Sequence, residues 1–151
     1  MNAPQFSLPD QMNSQHSLSQ YLGQWVVLYF YPKDDTTGCT KEACSLQDTL
    51  AVLRQKNVVV LGVSQDSVES HKKFAEKYHL TFPLLSDTNK EAITAYHAWG
   101  VKKFAGREYT GILRQTFLID PTGDIVKEYK NVNPTIHAEQ IVTDLNSLQS
   151  S

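Results

Sequence analysis

The chain alternates between runs of β-branched and aromatic residues and segments whose apolar positions recur every three or four residues. Trp25-Val26-Val27-Leu28-Tyr29-Phe30-Tyr31 contains no charged position, which predicts a strand covered on both faces and stopped by Pro32. Ala43, Leu46, Leu50 and Leu53 then fall on one stripe and predict a helix. Residues 57–64 form a second, Val-rich strand pattern. Val68, Phe74, Ala75 and Tyr78 mark one face of a second helix, with Glu69–Lys73 and Lys72–Glu76 as i,i+4 pairs on the other. Residues 84–86 read as a short strand and 90–97 as a short helix. Strand patterns at 116–120 and 124–130 flank Pro121-Thr122-Gly123 and predict a hairpin. Asn133-Pro134 opens a closing helix, with Pro at the first helical position and Ala138, Ile141, Leu145 and Leu148 facing inward. Residues 1–24 are polar with scattered turn formers and read as an N-terminal arm or short hairpin.

This order predicts an α/β protein. The βαβ start requires parallel pairing and the late hairpin adds antiparallel strands, so a thioredoxin-like fold, a mixed β-sheet flanked by helices, satisfies it. An open doubly wound sheet would need another βα unit in place of the hairpin. With 151 residues and no repeat, low-complexity tract or linker, the expectation is a single domain over 1–151.

Fourteen basic and sixteen acidic residues give a formal charge of -2 without a block of like charge. The basic stripe of a nucleic-acid binder is missing, as is the patch that would favour an anionic membrane surface. No apolar run approaches the 18 or so residues of a membrane helix, and the N-terminus lacks the features of a secretory signal. With only two cysteines there is no disulfide framework, and the expected location is cytoplasmic, with the thiols reduced.

Cys39 follows the first strand and, counted back from Ala43, Leu46 and Leu50, lies on the inward face of the helix at or just before its first turn. Unpaired N–H groups and the helix dipole favour an anion there, and the thiolate is the nucleophilic form of cysteine. Thr36 and Thr37 can bring hydroxyls close to the sulfur. Position alone leaves two readings, a reactive thiolate and a small core hydrophobe. Cys44 lies five residues on, which in an intact helix separates the Cα atoms by roughly 8.6 Å, beyond the limit of about 7 Å for a disulfide. Either the pair is inert, or its chemistry is coupled to unwinding of the helix start.

Pro32-x-x-x-Thr36-x-x-Cys39 resembles the active-site motif of the peroxiredoxins, and a second cysteine five residues later resembles their bacterioferritin-comigratory, or Q-type, branch. Trp99-Gly100 and Gly111-Ile112-Leu113-Arg114-Gln115-Thr116-Phe117-Leu118-Ile119-Asp120 extend the match, which covers about residues 6–148. The resemblance implies a thiol peroxidase acting on hydrogen peroxide and organic hydroperoxides. Cys39 would be the peroxidatic nucleophile, oxidised to a sulfenic acid. Arg114 would stabilise the thiolate and polarise the peroxide, Thr36 would orient it, and Pro32 would shield the sulfur. Glu42 matches a position that helps hold the arginine. Cys44 would resolve the sulfenic acid as an intramolecular disulfide, and thioredoxin or a similar dithiol would reduce it. The branch is often monomeric, so a monomer is expected.

Taken alone, these residues also fit plainer roles: Arg114 as a surface cation, Thr36 as a helix cap, Pro32 as a strand stop and Glu42 as an exposed first-turn acid. A redox-sensing module or a disulfide-exchange protein could use the same cysteine pair, although exchange proteins favour a tighter Cys-x-x-Cys. Trp99, Phe104 and Tyr109 are candidates for one wall of the substrate pocket. The five histidines are scattered, with His71 and His79 too far apart along a helix to share an ion. No metal and no cofactor is implied.

Overall fold

The computed structural model describes residues 2–130, 132–134 and 137–149, with Phe104 described by its backbone only. Its strands are β1 (Ser7–Pro9), β2 (Gln15–Ser17), β3 (Trp25–Phe30), β4 (Val58–Ser64), β5 (Leu84–Ser86), β6 (Trp99–Phe104), β7 (Arg107–Ile112), β8 (Gln115–Ile119) and β9 (Ile125–Tyr129). Its helices are α1 (Thr37–Gln55), α2 (Val68–Tyr78), α3 (Glu91–Ala95) and α4 (His137–Gln149). The central sheet has the order β5-β4-β3-β8-β9, with β3, β4 and β5 parallel and β8 and β9 antiparallel. This is the thioredoxin-like arrangement expected from the element order.

β3 is the middle strand, and its alternate residues enter two separate cores. Val27 and Tyr29, with Tyr31 just beyond the strand, join Leu46 and Leu50 of α1, Phe74 of α2 and Ile141 and Leu145 of α4. Val26, Leu28 and Phe30 join Ile93, Tyr96, Phe117 and the N-terminal Phe6 and Leu8 on the other face. Burial on both sides is why this strand carries no polar position. Opposite Tyr29, β4 has Gly62, where a Cβ would come within 2.9 Å of the phenol ring. That close approach lets the ring lie across the sheet beneath α1.

Three details differ from the sequence reading. The β6–β7 hairpin was not expected, because its strands carry Lys102, Lys103, Arg107 and Glu108 and stand largely in solvent. Its Ala105-Gly106 turn has φ of 52° and 79°, the positive pair a two-residue hairpin needs, without an Asn or Asp to announce it. The short helix is trimmed to Glu91–Ala95, because Lys90 and His97 adopt φ of 58° and 57°. Pro134 lies in a turn and does not stand at the first position of α4; Thr135 and Ile136 lie outside the described residues. Among the described residues, no helix is long and apolar enough to cross a membrane.

Candidate active site

α1 begins where β3 ends, at the carboxyl edge of the parallel strands. Thr36 is its N-cap with extended backbone, and the first helical bond runs from the Thr40 N–H to the Thr36 carbonyl at 2.8 Å. Cys39 is the third helical residue and only 1% exposed. Glu42, one turn further on the same face, is equally buried at 1%. Arg114 reaches both from the short connection between β7 and β8. Its Nη2 donates to Cys39 Sγ at 3.2 Å and its Nη1 to Glu42 Oε1 at 2.7 Å. The structure thus brings together the cysteine, the arginine and the glutamate.

The electrostatics follow from that burial. Removal from water pushes the Glu42 carboxyl up to about 7, against the attraction of Arg114. Burial alone would lower the Arg114 guanidinium, but Cys39 and Glu42 together hold it above its ordinary value. Glu42 Oε2 and the Tyr29 hydroxyl, both buried, have no hydrogen-bond partner among the described residues. Lys102 is a second cation at this site that sequence reasoning missed. Its Nζ donates to the Ile112 carbonyl at 2.8 Å, and burial with the nearby Arg114 lowers its ammonium while Cys39 acts in the opposite sense.

The remaining expected residues are placed as follows. Pro32 is half-buried, two residues beyond the end of β3. The Thr36 hydroxyl is exposed and donates to the Lys33 carbonyl at 3.0 Å, so it makes neither a cap bond nor a bond to the sulfur. Cys44 is a free, half-buried thiol, and burial together with Asp48 raises it above the ordinary cysteine value. Trp99 and Tyr109 stand exposed on the β6–β7 hairpin, under the cations Lys90 and Lys102 respectively, and the Phe104 side chain lies outside the described residues. Behind Arg114, the buried His137 at the start of α4 lies 2.7 Å through Nε2 from Thr116 Oγ1. Burial, with the Arg114 charge adding to it, lowers this imidazole to about 4.

A second polar cluster lies behind the loop that precedes Thr36. His71, fully buried at 0% exposure, sets Nδ1 2.7 Å from Asp34 Oδ2 and Nε2 3.0 Å from the Leu85 carbonyl. Ligand atoms of Asp34, Asp66 and His71 fall within 4.8 Å of one another, as a metal site would require. Hydrogen bonds already occupy them: Asp34 accepts from Tyr31 and Ser70, and Asp66 accepts from Ser64 and the Asp34 N–H. The signal for His71 was present in the sequence, since it lies three residues after Val68 and three before Phe74 on the face of α2 assigned to the core.

The AhpC/TSA family matches residues 1–128. Peroxiredoxin Bcp of Bacillus subtilis is 42% identical over 146 residues, covering 97% of this chain and 93% of that protein. Peroxiredoxin Bcp of Escherichia coli is 43% identical over 140 residues, covering 93% and 90%. Among solved structures, the bacterioferritin comigratory protein of Xanthomonas campestris, described for its alkyl peroxide reduction activity, superposes with a TM-score of 0.89 at 34% identity, covering 94% of this chain and 90% of that one. A cysteine-to-serine variant of PrxQ from Xylella fastidiosa gives 0.88 at 40% identity, covering 96% and 88%.

Proposed function

We infer the course of a peroxidase cycle from the premise that this chain belongs to the AhpC/TSA family, in its bacterioferritin-comigratory or Q-type peroxiredoxin branch. As a member it is a thiol peroxidase, an oxidoreductase that consumes a hydroperoxide and draws its electrons from a thiol. The assignment of roles within this chain rests on one observation above all. Arg114 is held by Glu42 on one nitrogen while the other points at Cys39 Sγ.

In our reading the Cys39 thiolate attacks the terminal oxygen of the hydroperoxide. The S–O bond forms as the O–O bond breaks, sulfur is oxidised to the sulfenic acid, and the leaving alkoxide takes up a proton and departs as alcohol or water. The Arg114 cation stabilises the thiolate and the charge that develops on the leaving oxygen. In this reading Thr36 orients the peroxide and Pro32 shields the sulfur. The substrates in this reading are hydrogen peroxide and organic hydroperoxides, and the alkyl peroxide reduction described for the Xanthomonas relative supports the latter.

Cys44 then attacks the sulfenic sulfur; the S–S bond forms and water leaves. Both cysteines lie in α1, so this step needs the helix start to unwind. Support comes from the N-cap, where Thr36 gives no side-chain bond to the first turn, forgoing about 1 kcal/mol of helix stabilisation. A dithiol such as thioredoxin reduces the resulting disulfide by exchange. The cycle uses a single chain of 1–151 as one catalytic domain, works as a monomer and calls for no cofactor.

The test is one equivalent of hydrogen peroxide added to reduced protein, followed by thiol titration and intact mass. Loss of both thiols and two hydrogens, far faster than free cysteine reacts, is expected. Cys39→Ser abolishes the reaction, whereas Cys44→Ser stops at the sulfenic acid. Full turnover by the Cys39 variant overturns the assignment, and a disulfide-free wild type overturns the role of Cys44.

A further inference from the structure

The peroxidatic loop is tied to the body of the protein by a buried, hydrogen-bonded Asp34–His71 pair to which the peroxidase chemistry assigns no part. His71 Nε2 faces the Leu85 carbonyl at 3.0 Å, which can only accept, so that nitrogen carries a proton. His71 Nδ1 faces Asp34 Oδ2 at 2.7 Å, and the same oxygen accepts from Ser70 Oγ at 2.8 Å. Asp34 Oδ1 accepts from the Tyr31 hydroxyl at 2.6 Å, and the Asp34 N–H donates to Asp66 Oδ2 at 2.8 Å. One loop residue is therefore joined to Tyr31 just beyond β3, to the turn after β4, to α2 and, through the ring, to β5. Nδ1 also lies 3.3 Å from the Tyr31 hydroxyl, so both ring nitrogens are engaged and the group is closed off from water.

A pair of this kind adds little net stability, because desolvation offsets the attraction, but it enforces one geometry. The next residue repeats the tie from outside: Asp35, at φ 57°, accepts from Lys77 Nζ at 2.8 Å and from the Tyr78 hydroxyl at 2.7 Å, both in the last turn of α2. At Thr36 the ties to α2 and β5 end, since its hydroxyl bonds back to Lys33 and leaves the helix start without a side-chain cap. The chain is pinned by side chains on one side of Thr36, while on the other the first turn has no side-chain cap and is held by its helical backbone bonds and by Arg114 at Cys39 and Glu42.

We propose that Asp34 and His71 are positioning residues for the peroxide step: their pair fixes the loop from Pro32 to Asp35 and confines the unwinding that brings Cys39 to Cys44 to the helical side of Thr36. The proposal rests on the resolving role given to Cys44 above. Loosening the clamp misplaces the loop side of the peroxide pocket and favours the unwound state, so the two chemical steps respond in opposite directions.

The experiment is rapid mixing of reduced protein with hydrogen peroxide, resolving attack at Cys39 from loss of the Cys44 thiol, for wild type, Asp34→Asn, His71→Asn and His71→Gln. Asn at 71 keeps a donor where Nδ1 stood, toward Asp34, whereas Gln keeps one where Nε2 stood, toward Leu85. Asp34→Asn and His71→Gln should slow the first step by about tenfold or more, with His71→Asn closer to wild type, the scale expected of a sub-ångström misplacement. The second step should be unchanged or faster in all three. First-step rates within about twofold of wild type in Asp34→Asn and His71→Gln, or both steps falling in parallel with the folded fraction, overturn the proposal. If Asp34→Asn does not fold, the contrast between the two His71 variants decides. A wild type that forms no Cys39–Cys44 disulfide defeats the reading of Cys44, while its first step still tests the clamp.

Discussion

A side chain at Gly38 would press on Arg114: its Cβ would lie 3.2 Å from Nη2 and 3.7 Å from the Cγ of Pro134. The guanidinium has little room to retreat, because Nη1 is held by Glu42 at 2.7 Å. Gly38→Ala should therefore push Nη2 off its line to the sulfur and slow the peroxide step by about tenfold. Alanine also favours the helix by about 1 kcal/mol over glycine, so disulfide formation should slow as well. Rapid-mixing kinetics with thiol titration check both. An unaltered first step would show that the guanidinium yields without cost.

Arg114 joins two charged partners, so its replacements should separate charge from geometry. Arg114→Ala removes the donor at the sulfur and should slow the peroxide step by about 10²–10³-fold, the cost of losing one preorganised donor. Arg114→Lys keeps a cation without the planar fork that meets Cys39 and Glu42 together, and should fall between the alanine variant and wild type. Second-order rate constants for hydrogen peroxide at neutral pH decide this. Equal rates for alanine and wild type would remove Arg114 from the chemistry.

The mixed sheet, with its parallel start and late antiparallel hairpin, and the cysteine were legible because each followed from a strong local pattern. The run from Trp25 to Tyr31 is buried on both faces, and Cys39 shares the inward stripe of Ala43, Leu46 and Leu50. Arg114 was found only through the family motif, since a single arginine before a strand gives no local signal that its guanidinium turns inward. Glu42 was read with equal weight as an exposed first-turn acid, because its burial depends on a partner 72 residues away. Asp34 and Lys102 were missed for a related reason. Both look like solvated charges in sequence, and only tertiary contacts with His71 and the Ile112 carbonyl draw them inward. The β6–β7 hairpin escaped because exposed, charged strands carry no hydrophobic period.

Gly62 offers a test of the layer beneath the site. A methyl group there would meet the Tyr29 ring at 2.9 Å, and that ring is packed on Tyr31 and Phe82. Gly62→Ala should lower stability by about 1–3 kcal/mol through overpacking, measurable by denaturant unfolding. Tyr29→Phe in the same background keeps the ring and should not restore stability, whereas a smaller residue at 29 should recover part of it. Unfolding midpoints that match wild type would mean the ring can move aside.

Glu42 and His137 should tilt stability in opposite directions with pH. Burial raises Glu42 from 4.5 to about 7, so the folded chain holds that proton more tightly than the unfolded one. Its contribution is complete below about 4.5 and is lost as pH rises through about 7. Burial lowers His137 from 6.5 to about 4, so its contribution is complete above about 6.5 and is lost as pH falls toward about 4. In the interval the two slopes oppose, and the wild-type profile there is flatter than either group alone would make it. Glu42→Gln removes the first loss, so its stability relative to wild type should rise with pH up to about 7, by on the order of 1–3 kcal/mol. His137→Gln, which keeps a polar atom toward Thr116, removes the second and should gain relative to wild type as pH falls from 6.5 toward 4. Denaturant unfolding of the three proteins at intervals across this range separates the two effects. Curves that run parallel at every pH would show that neither group carries the dependence.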